Sequence, residues 1–177
     1  TLMHLIGLLD KPTSGKVLIE GDDVSALDDD NLSRLRNKFV GFVFQQFNII
    51  NKLTVAENIL LPTMYAGSGS SSSWQERAKF LMARFGISDK ANSYPNKISG
   101  GQQQRVAIAR ALITSPSLIL ADEPTGNLDT KTGQSIMELL SSLNKKDNLT
   151  VVLVTHEKEI AKFSKRKILI QDGQIKT

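Results

Sequence analysis

The sequence predicts an α/β fold, in which a core built on a parallel sheet is interrupted by an inserted, all-helical subdomain. Residues 1–45 and 115–177 alternate helix and strand patterns, which is typical of a parallel sheet with helices on both faces. Residues 54–113 show helix patterns and no strand pattern. We therefore interpret residues 1–177 as a single domain, with residues 46–114 as the inserted subdomain.

The predicted strands of the core are short runs rich in apolar residues, the pattern of strands that are buried on both faces. A last strand is expected to follow the Asp172-Gly173 turn and to form a hairpin with the strand before it. The predicted strands are Lys16–Glu20, Phe39–Phe44, Leu118–Ala121, Thr150–Val154, Lys167–Gln171 and a short one from Gln174 onward.

Three helices are predicted in the inserted subdomain. A capping-box pattern over residues 54–57 opens the first helix, residues 58–65. The second helix, residues 74–85, is amphipathic, and the third covers residues 103–114. The Gly/Ser-rich stretch 66–73 between the first two is predicted to be a flexible connection.

Composition is that of an ordinary globular domain, with 40% hydrophobic and 23% charged residues. The 177 residues hold no cysteine, which excludes disulfides and thiolate metal sites within them. No apolar run approaches the eighteen residues of a membrane span. The net charge is +4, and the one small basic cluster, residues 162–167, favours a solvated face over a nucleic-acid surface.

Polar residues follow three of the predicted strands directly. Gln45 follows the second strand, Asp122 and Glu123 follow the third, and His156 comes two residues after the fourth. In open α/β sheets, ligands bind beyond the carboxyl ends of the strands. Two acids at such a place are suited to a metal-bound phosphate and an attacking water. The alternative is that both acids only cap the helix that follows.

A glycine-rich turn, Ser99-Gly100-Gly101-Gln102, stands directly before the third predicted helix of the subdomain. Glycines at the start of a helix let backbone N–H groups approach an anion, and the helix dipole favours negative charge there. The alternative for this turn is an ordinary serine N-cap.

Residues 97–129, KISGGQQQRVAIARALITSPSLILADEPTGNLD, resemble the signature and Walker B region of ATP-binding cassette (ABC) ATPases. These are P-loop NTPases, so the resemblance implies a RecA-like core over residues 1–45 and 115–177. It implies that Asp122 holds Mg²⁺ and that Glu123 polarises the attacking water. It also implies that the signature turn contacts the γ-phosphate of ATP held by a second copy, through Ser99, Gly100, Gly101 and Gln102.

The same resemblance assigns three further residues. Gln45 corresponds to the Q-loop glutamine, which reaches Mg²⁺ and the attacking water. His156 corresponds to the H-loop histidine, which hydrogen-bonds the γ-phosphate and helps to hold the water in line. Asp129 closes a sequence similar to the D-loop, residues 127–129, which crosses the seam of the dimer.

A phosphate-binding loop of the form GxxxxGK[ST] occurs nowhere in the 177 residues. In the family, a stretch like residues 1–9 follows that loop directly. The resemblance therefore implies a domain truncated at its N-terminus, without the β-subdomain and the Walker A loop, and catalytically inactive as it stands. The missing strand is expected inside the sheet, close to residues 117–121.

Stretches such as IGLLDKPTSG and FVFQQFNIINKLTVAENILLP resemble the lipoprotein-release and macrolide-export group of the family. The resemblance implies a homodimeric ATPase subunit that uses ATP and Mg²⁺ and lies on the cytoplasmic face of the cell membrane. It would power a permease that exports or releases lipoprotein, peptide or drug and that docks at Gln45–Leu53. The alternative for this segment is simple core packing of the helical subdomain.

Two other functions stay open at this point. One is a soluble ABC ATPase of DNA repair or chromosome maintenance, although such families carry long coiled-coil or zinc-bearing insertions and the insertion here is short and free of cysteine. The other is a non-catalytic fragment that does not bind nucleotide tightly.

Overall fold

A computed structural model describes residues 1–66 and 69–176 of the chain. Its helices and strands are, in chain order, α1 (Leu2–Ile6), β1 (Leu18–Ile19), β2 (Asp22–Asp23), α2 (Asp29–Phe39), β3 (Val40–Phe44), α3 (Val55–Leu60), α4 (Ser71–Arg84), α5 (Gly100–Leu112), β4 (Leu118–Asp122), α6 (Thr130–Lys146), β5 (Thr150–Val154), α7 (Lys158–Ala161), β6 (Leu169–Gln171) and β7 (Gln174–Lys176).

The centre of the structure is a parallel sheet of three strands in the order β3-β4-β5. The register pairs Phe44 with Asp122 and Asp122 with Val154, so the three strands end at the same level. The predicted strand Thr150–Val154 is confirmed to the residue, and β3 and β4 lie within one residue of their predicted bounds. β3 begins one residue later than predicted, because Phe39 is the last residue of α2.

Side chains of the sheet alternate between two apolar layers, which is why the strands read as continuous apolar runs. Ile119 and Ala121 of β4 belong to the larger layer, beneath α5 and α6, and are fully buried. Leu120 of β4 faces the other side, where it packs with Met3 of α1 and Val40 of β3. β4 is thus covered on both faces, as the predicted helix–strand alternation requires, whereas the residues of β5 are half-buried or exposed.

Residues 54–113 form helices and turns without a strand among the described residues, as predicted. The capping box is confirmed: Thr54 and Glu57 bond reciprocally at the start of α3, which begins three residues earlier than predicted. After Leu60 the chain tightens into a 3₁₀ turn, Leu61–Tyr65, in which Pro62 supplies no backbone N–H donor.

The Gly/Ser-rich stretch is shorter as a connection than predicted. Ser70 caps α4 by accepting a hydrogen bond from the backbone of Ser73, so residues 71–73 form the first turn of the helix. Serine at an N-cap satisfies backbone N–H groups that a helix leaves free at its start. Residues 67 and 68 of this stretch lie outside the described residues.

Two predicted strands do not join the parallel sheet. The first lies within Lys16–Glu20 but only Leu18–Ile19 is extended, and it pairs antiparallel with β2. The other, within Lys167–Gln171, pairs antiparallel with β7 across the Asp172-Gly173 turn. The hairpin itself is confirmed. Both segments are too short and too exposed to form buried parallel strands, although their apolar residues suggested this.

The expected further strand, inside the sheet and close to residues 117–121, stays a prediction, and the pairing of β4 limits where such a strand can join. β4 is bonded to β3 on one side and to β5 on the other, so both of its edges are used. A strand that extends this sheet must pair with β3 or β5 instead.

Every helix among the described residues is too short or too polar to cross a bilayer.

Candidate functional site

The predicted site residues of the core meet at one edge of the parallel sheet. Gln45 directly follows β3, Asp122 is the last residue of β4, Glu123 follows it, and His156 lies two residues beyond β5. Because the strands are parallel and in register, their carboxyl ends and the loops that leave them are neighbours. The sheet therefore gathers one amide, two acids and one imidazole from three separate stretches of the chain.

Glu123 is held by the turn that follows β5. Its Oε2 accepts a hydrogen bond from Thr155 Oγ1 at 3.0 Å, and its Oε1 accepts one from the backbone N–H of His156 at 2.9 Å. Oε1 also lies 2.6 Å from His156 Nδ1. Its backbone N–H donates to the carbonyl of Val154, the residue that ends β5. The carboxylate has one orientation because three donors of a single turn fix it.

The backbone of Glu123 is in the left-handed region, with φ 44°. Residues other than glycine rarely adopt this conformation, and those that do are concentrated at functional sites. The conformation turns the side chain from the strand direction towards His156. The alternative that Glu123 only caps the next helix fails, because α6 is capped by Asp129 and begins seven residues later.

His156 and Glu123 differ in exposure, at 85% and 17% of their side-chain surface. The Glu123 carboxylate raises the pKa of His156 above its ordinary value of 6.5, through the hydrogen bond and through its charge, and Glu157 adds to this effect. The contact between them therefore contributes its full stabilisation below pH 6.5. It is lost as the pH rises through the elevated pKa of the folded protein.

Glu123→Gln is expected to lower the pKa of His156, because the substitution removes the negative charge that stabilises the imidazolium. The measurement is the pH titration of the His156 ring resonances by NMR. All the proteins compared also carry His4→Gln, so that the second histidine of the 177 residues does not contribute a signal. Glu157→Gln serves as the matched control and is expected to produce a smaller decrease, since its charge is the lesser cause. An equal pKa in the wild type and Glu123→Gln would contradict the pairing.

Gln45 is tied to the loop that follows β4. Its backbone carbonyl accepts a hydrogen bond from Asn127 Nδ2 at 2.9 Å. Its side chain lies against Gly126, where an added Cβ would come within 2.6 Å of Gln45 Nε2. The predicted Q-loop and D-loop residues thus contact each other within one chain, and the Gln45 side chain is exposed.

The signature turn is a serine N-cap at a half-buried helix start. Ser99 caps α5 in a reciprocal capping box with Gln102, and α5 begins at Gly100, three residues earlier than predicted. An added Cβ on Gly101 would lie 2.5 Å from Thr132 Cγ2 of α6. Glycine at this position lets the two helix N-termini approach each other.

Asp129 caps α6 by accepting a hydrogen bond from the backbone of Thr132 at 3.0 Å. The hydrogen bonds from Thr132 lower the pKa of Asp129, so the carboxylate stays ionised at neutral pH. The described residues therefore give Asp129 a structural task within its own chain. Its place at a dimer seam stays a prediction.

The donor set at the sheet edge fits Mg²⁺. Asp122 and Gln45 offer hard oxygen atoms, which this ion prefers. Among the described residues, no three His, Cys, Asp or Glu side chains gather into a cluster that could hold a metal by itself. Mg²⁺ typically takes one or two carboxylates and completes its shell with water and substrate phosphates, so a site with few protein ligands agrees with it.

Three residues that support the site were not predicted. Gln104 of α5 is fully buried, and its amide donates to the carbonyl of Pro124, next to Glu123. Asn58 of α3 is also fully buried and makes four hydrogen bonds to the backbone of residues 50–54. Arg110 of α5 bonds two carbonyls that follow Gln45. No local pattern marks them, because their partners are distant in sequence or are backbone groups.

The chain matches the protein-family model of the ABC transporter over residues 1–126. A macrolide export ATP-binding/permease protein, MacB, of Syntrophobacter fumaroxidans is 46% identical over 99% of this chain, which spans 25% of that protein. An uncharacterised ABC transporter ATP-binding protein of Bacillus subtilis is 47% identical over 99% of this chain, which spans 75% of it.

Among solved structures, the dimeric ATP-binding cassette MJ0796 in a post-hydrolysis state bound to ADP and Pi superimposes with a TM-score of 0.88. It is 47% identical, over 99% of this chain and 77% of that one. The chain belongs to the ABC transporter ATP-binding family, and its fold is the ABC ATPase fold. Membership in this family implies ATP binding and ATP hydrolysis. The macrolide-export relatives support the predicted subgroup.

Proposed function

We propose that this chain is the ATPase part of a transporter that uses the energy of ATP hydrolysis for export or release of a lipoprotein, peptide or drug. The observation that carries the proposal is the edge of the parallel sheet, where Gln45, Asp122, Glu123 and His156 converge from three strand ends. It rests further on the relatives named for macrolide export. The chain spans about a quarter of their length, so the substrate belongs to the proposal.

Within the site, we assign each residue one task. Asp122 and Gln45 hold Mg²⁺, which neutralises charge on the β- and γ-phosphates when bound. Glu123 accepts the proton of the attacking water as general base. His156 donates a hydrogen bond to the γ-phosphate, for which its exposed ring is free to turn outward. The task of His156 requires that its contact with Glu123 opens when nucleotide binds.

We propose that two copies assemble head to tail, so that the signature turn of one copy completes the nucleotide site of the other. The backbone N–H groups of Gly100 and Gly101 start a helix, where the dipole attracts the γ-phosphate. Ser99, Gln102 and Asp129 lie beside them at the starts of α5 and α6. The solved dimer of the MJ0796 cassette supports this assembly.

A permease is proposed to dock on Gln45–Leu53, and no nucleic-acid partner is proposed. Ile50 in this segment exposes 43% of its surface although it is apolar. Docking there would place the domain on the inner face of the cell membrane.

Because the 177 residues hold no cysteine, Ile50→Cys introduces a single labelling site among them. It should crosslink to a membrane protein in cells, whereas Lys145→Cys, at the end of α6, should not.

The direct test of the proposed function is hydrolysis of ATP by the full-length protein in the presence of Mg²⁺. The expected rate is about 1–100 turnovers per second, the range typical of kinases. Chelation of Mg²⁺ with EDTA should abolish it. Hydrolysis that persists in EDTA would contradict the assignment of Asp122 and Gln45, and absence of any hydrolysis by the assembled transporter would contradict the function.

A second interpretation, that residues 1–177 by themselves are a non-catalytic fragment, is favoured by one specific observation. The 177 residues contain no GxxxxGK[ST] run, and in this family the backbone and lysine of that loop bind the β- and γ-phosphates. Residues 1–177 made by themselves are therefore expected to bind ATP more weakly than about 1 mM and to show no turnover, because those phosphate contacts are missing. Titration calorimetry checks this, and micromolar binding would contradict it.

A further inference from the structure

Arg110 ties the end of the signature helix to the backbone that follows Gln45. Its Nη2 donates to the carbonyl of Phe47 at 2.9 Å, and its Nη1 donates to the carbonyl of Asn48. Burial lowers the pKa of the guanidinium, and Arg110 takes part in none of the ion pairs between described residues. The hydrogen bonds to two backbone carbonyls are thus the main interactions that offset the cost of partly burying the guanidinium charge.

The backbone held by Arg110 has an uncommon conformation. Phe47 and Asn48 are consecutive residues with φ 59° and 48°, in the left-handed region that residues other than glycine and asparagine seldom adopt. Such a conformation persists only where the surroundings fix it. Arg110 is the side chain that does so here, since it binds both carbonyls with one planar group.

The ring of Phe47 reaches the other end of the same helix. A Cβ built on Gly100 would lie 3.7 Å from Phe47 Cζ and 3.4 Å from Leu128 Cδ2, so the start of α5 rests between these two side chains. Arg110 and Gly100 are ten residues apart, which is about 15 Å along an α-helix. Phe47 therefore contacts α5 twice, with its carbonyl near the end of the helix and with its ring at the start.

We propose that Arg110 and Phe47 act together as positioning residues for the signature turn, with Arg110 fixing the backbone from which the Phe47 ring supports Gly100. The inference rests on the proposed function, because that function assigns nucleotide binding to the signature turn. Its consequence is that any partner that displaces the Gln45–Leu53 segment also displaces the support of Gly100. Neither residue touches substrate in this role.

The first experiment needs no nucleotide. Hydrogen exchange of the full-length protein is measured for Arg110→Met, which keeps the length of the side chain and removes both donors. Exchange of the amides of Gln102 and Gln103, which donate to Ser99, is expected to become about tenfold faster, since opening free energies of a helix end respond to loss of its local support. Phe47→Leu should reproduce this change.

Arg105→Met is the matched control. Arg105 is on the same helix and also makes two hydrogen bonds at 2.9 Å, but to the carbonyl of Phe85 and to Ser135 Oγ. Its loss should accelerate exchange near residues 85 and 135 and leave Gln102 and Gln103 unchanged. Equal acceleration at Gln102 and Gln103 in both arginine variants would overturn the inference, because the effect would then be general loosening of α5.

The second experiment measures ATP-driven dimer formation in the Glu123→Gln background. Arg110→Met and Phe47→Leu should each raise the ATP concentration for half-maximal dimer about tenfold, and the double variant should also raise it about tenfold, because the residues act as one unit. A hundredfold increase in the double variant would overturn the inference. If Glu123→Gln protein forms no dimer with ATP, the proposed function fails, and hydrogen exchange alone decides the positioning role.

Discussion

Glu123→Gln in the full-length protein is expected to reduce the rate of ATP hydrolysis about 10²–10⁴-fold, the contribution typical of a general base. Glutamine has nearly the same shape and keeps one acceptor oxygen for the turn at Thr155 and His156, but it cannot take a proton from water. The measurement is the release of phosphate at saturating ATP. Binding of ATP should persist, because the substitution leaves the phosphate contacts in place.

The same variant should accumulate a closed dimer when ATP is present. If ATP closes two copies on each other and hydrolysis opens them, a variant that binds without hydrolysing remains closed. Size-exclusion chromatography with ATP should show the dimer for Glu123→Gln and mostly monomer for the wild type. Addition of ADP in place of ATP should give monomer in both, since the γ-phosphate is what the signature turn is proposed to bind.

Glu157→Gln is the matched control for this prediction. Glu157 is an exposed carboxylate next to His156, and its side chain makes no hydrogen bond among the described residues. It should hydrolyse ATP at close to the wild-type rate. A normal rate in Glu123→Gln would show that Glu123 is not the base, and His156 would then become the leading candidate. Equal losses of hydrolysis rate in both variants would indicate that the rate depends on the total negative charge of the turn and not on a base at residue 123.

The parallel sheet and the residues at its carboxyl edge could be predicted from the sequence because both are encoded locally. A strand at the centre of such a sheet is apolar throughout, and the apolar run of β5 predicted its bounds to the residue, although the structure leaves the residues of β5 half-buried or exposed. A polar residue directly after such a strand stands at the ligand-binding edge whatever the rest of the chain does. The sequence could therefore place Asp122, Glu123 and His156 before their contacts were known.

The contacts that fix these side chains could not be predicted, because they join residues that are far apart in sequence. Glu123 and His156 are 33 residues apart, and the hydrogen bond from Arg110 to Phe47 spans 63. The left-handed backbone at Glu123 and Phe47 also carries no signal, since neither residue type favours it. Such conformations follow from tertiary contacts and not from local propensity.

Two of the helix starts in the subdomain, those of α4 and α5, were misjudged by three residues for a common reason. Gly100 and Ser71 are poor helix formers, so the patterns assigned them to turns. The structure includes both in first turns, because Ser99 and Ser70 satisfy the free N–H groups as caps. The cap outweighs propensity at a helix start.

Gly41→Ala is expected to destabilise the domain by about 3 kcal/mol, near the upper end of the usual cost of overpacking a core. Gly41 lies in β3 directly beneath α5, where an added Cβ would come within 2.4 Å of the carbonyl oxygen of Ala111 and 2.6 Å of Ile119 Cδ1. The first of these atoms is backbone and cannot rotate away. The helix itself would have to move off the sheet.

That movement would reach the site, because α5 carries both Arg110 and the signature turn. Gly133→Ala is the matched control: Gly133 is also buried, but an added Cβ there would meet its nearest atoms, in Thr125, at 3.4 Å. Alanine is better than glycine inside a helix by about 1 kcal/mol, which offsets the tighter contact. This variant should therefore stay within about 1 kcal/mol of the wild type.

Urea unfolding of the full-length protein, followed by the fluorescence of Trp74, gives the midpoint for both variants. Trp74 suits the measurement because it is the single tryptophan of the 177 residues and packs against the core beneath α5. The midpoint of Gly41→Ala should fall well below that of Gly133→Ala, with the slope unchanged. Equal midpoints would mean that α5 can shift relative to β3 at little cost, and the rigid link between the sheet edge and the signature turn would then be wrong.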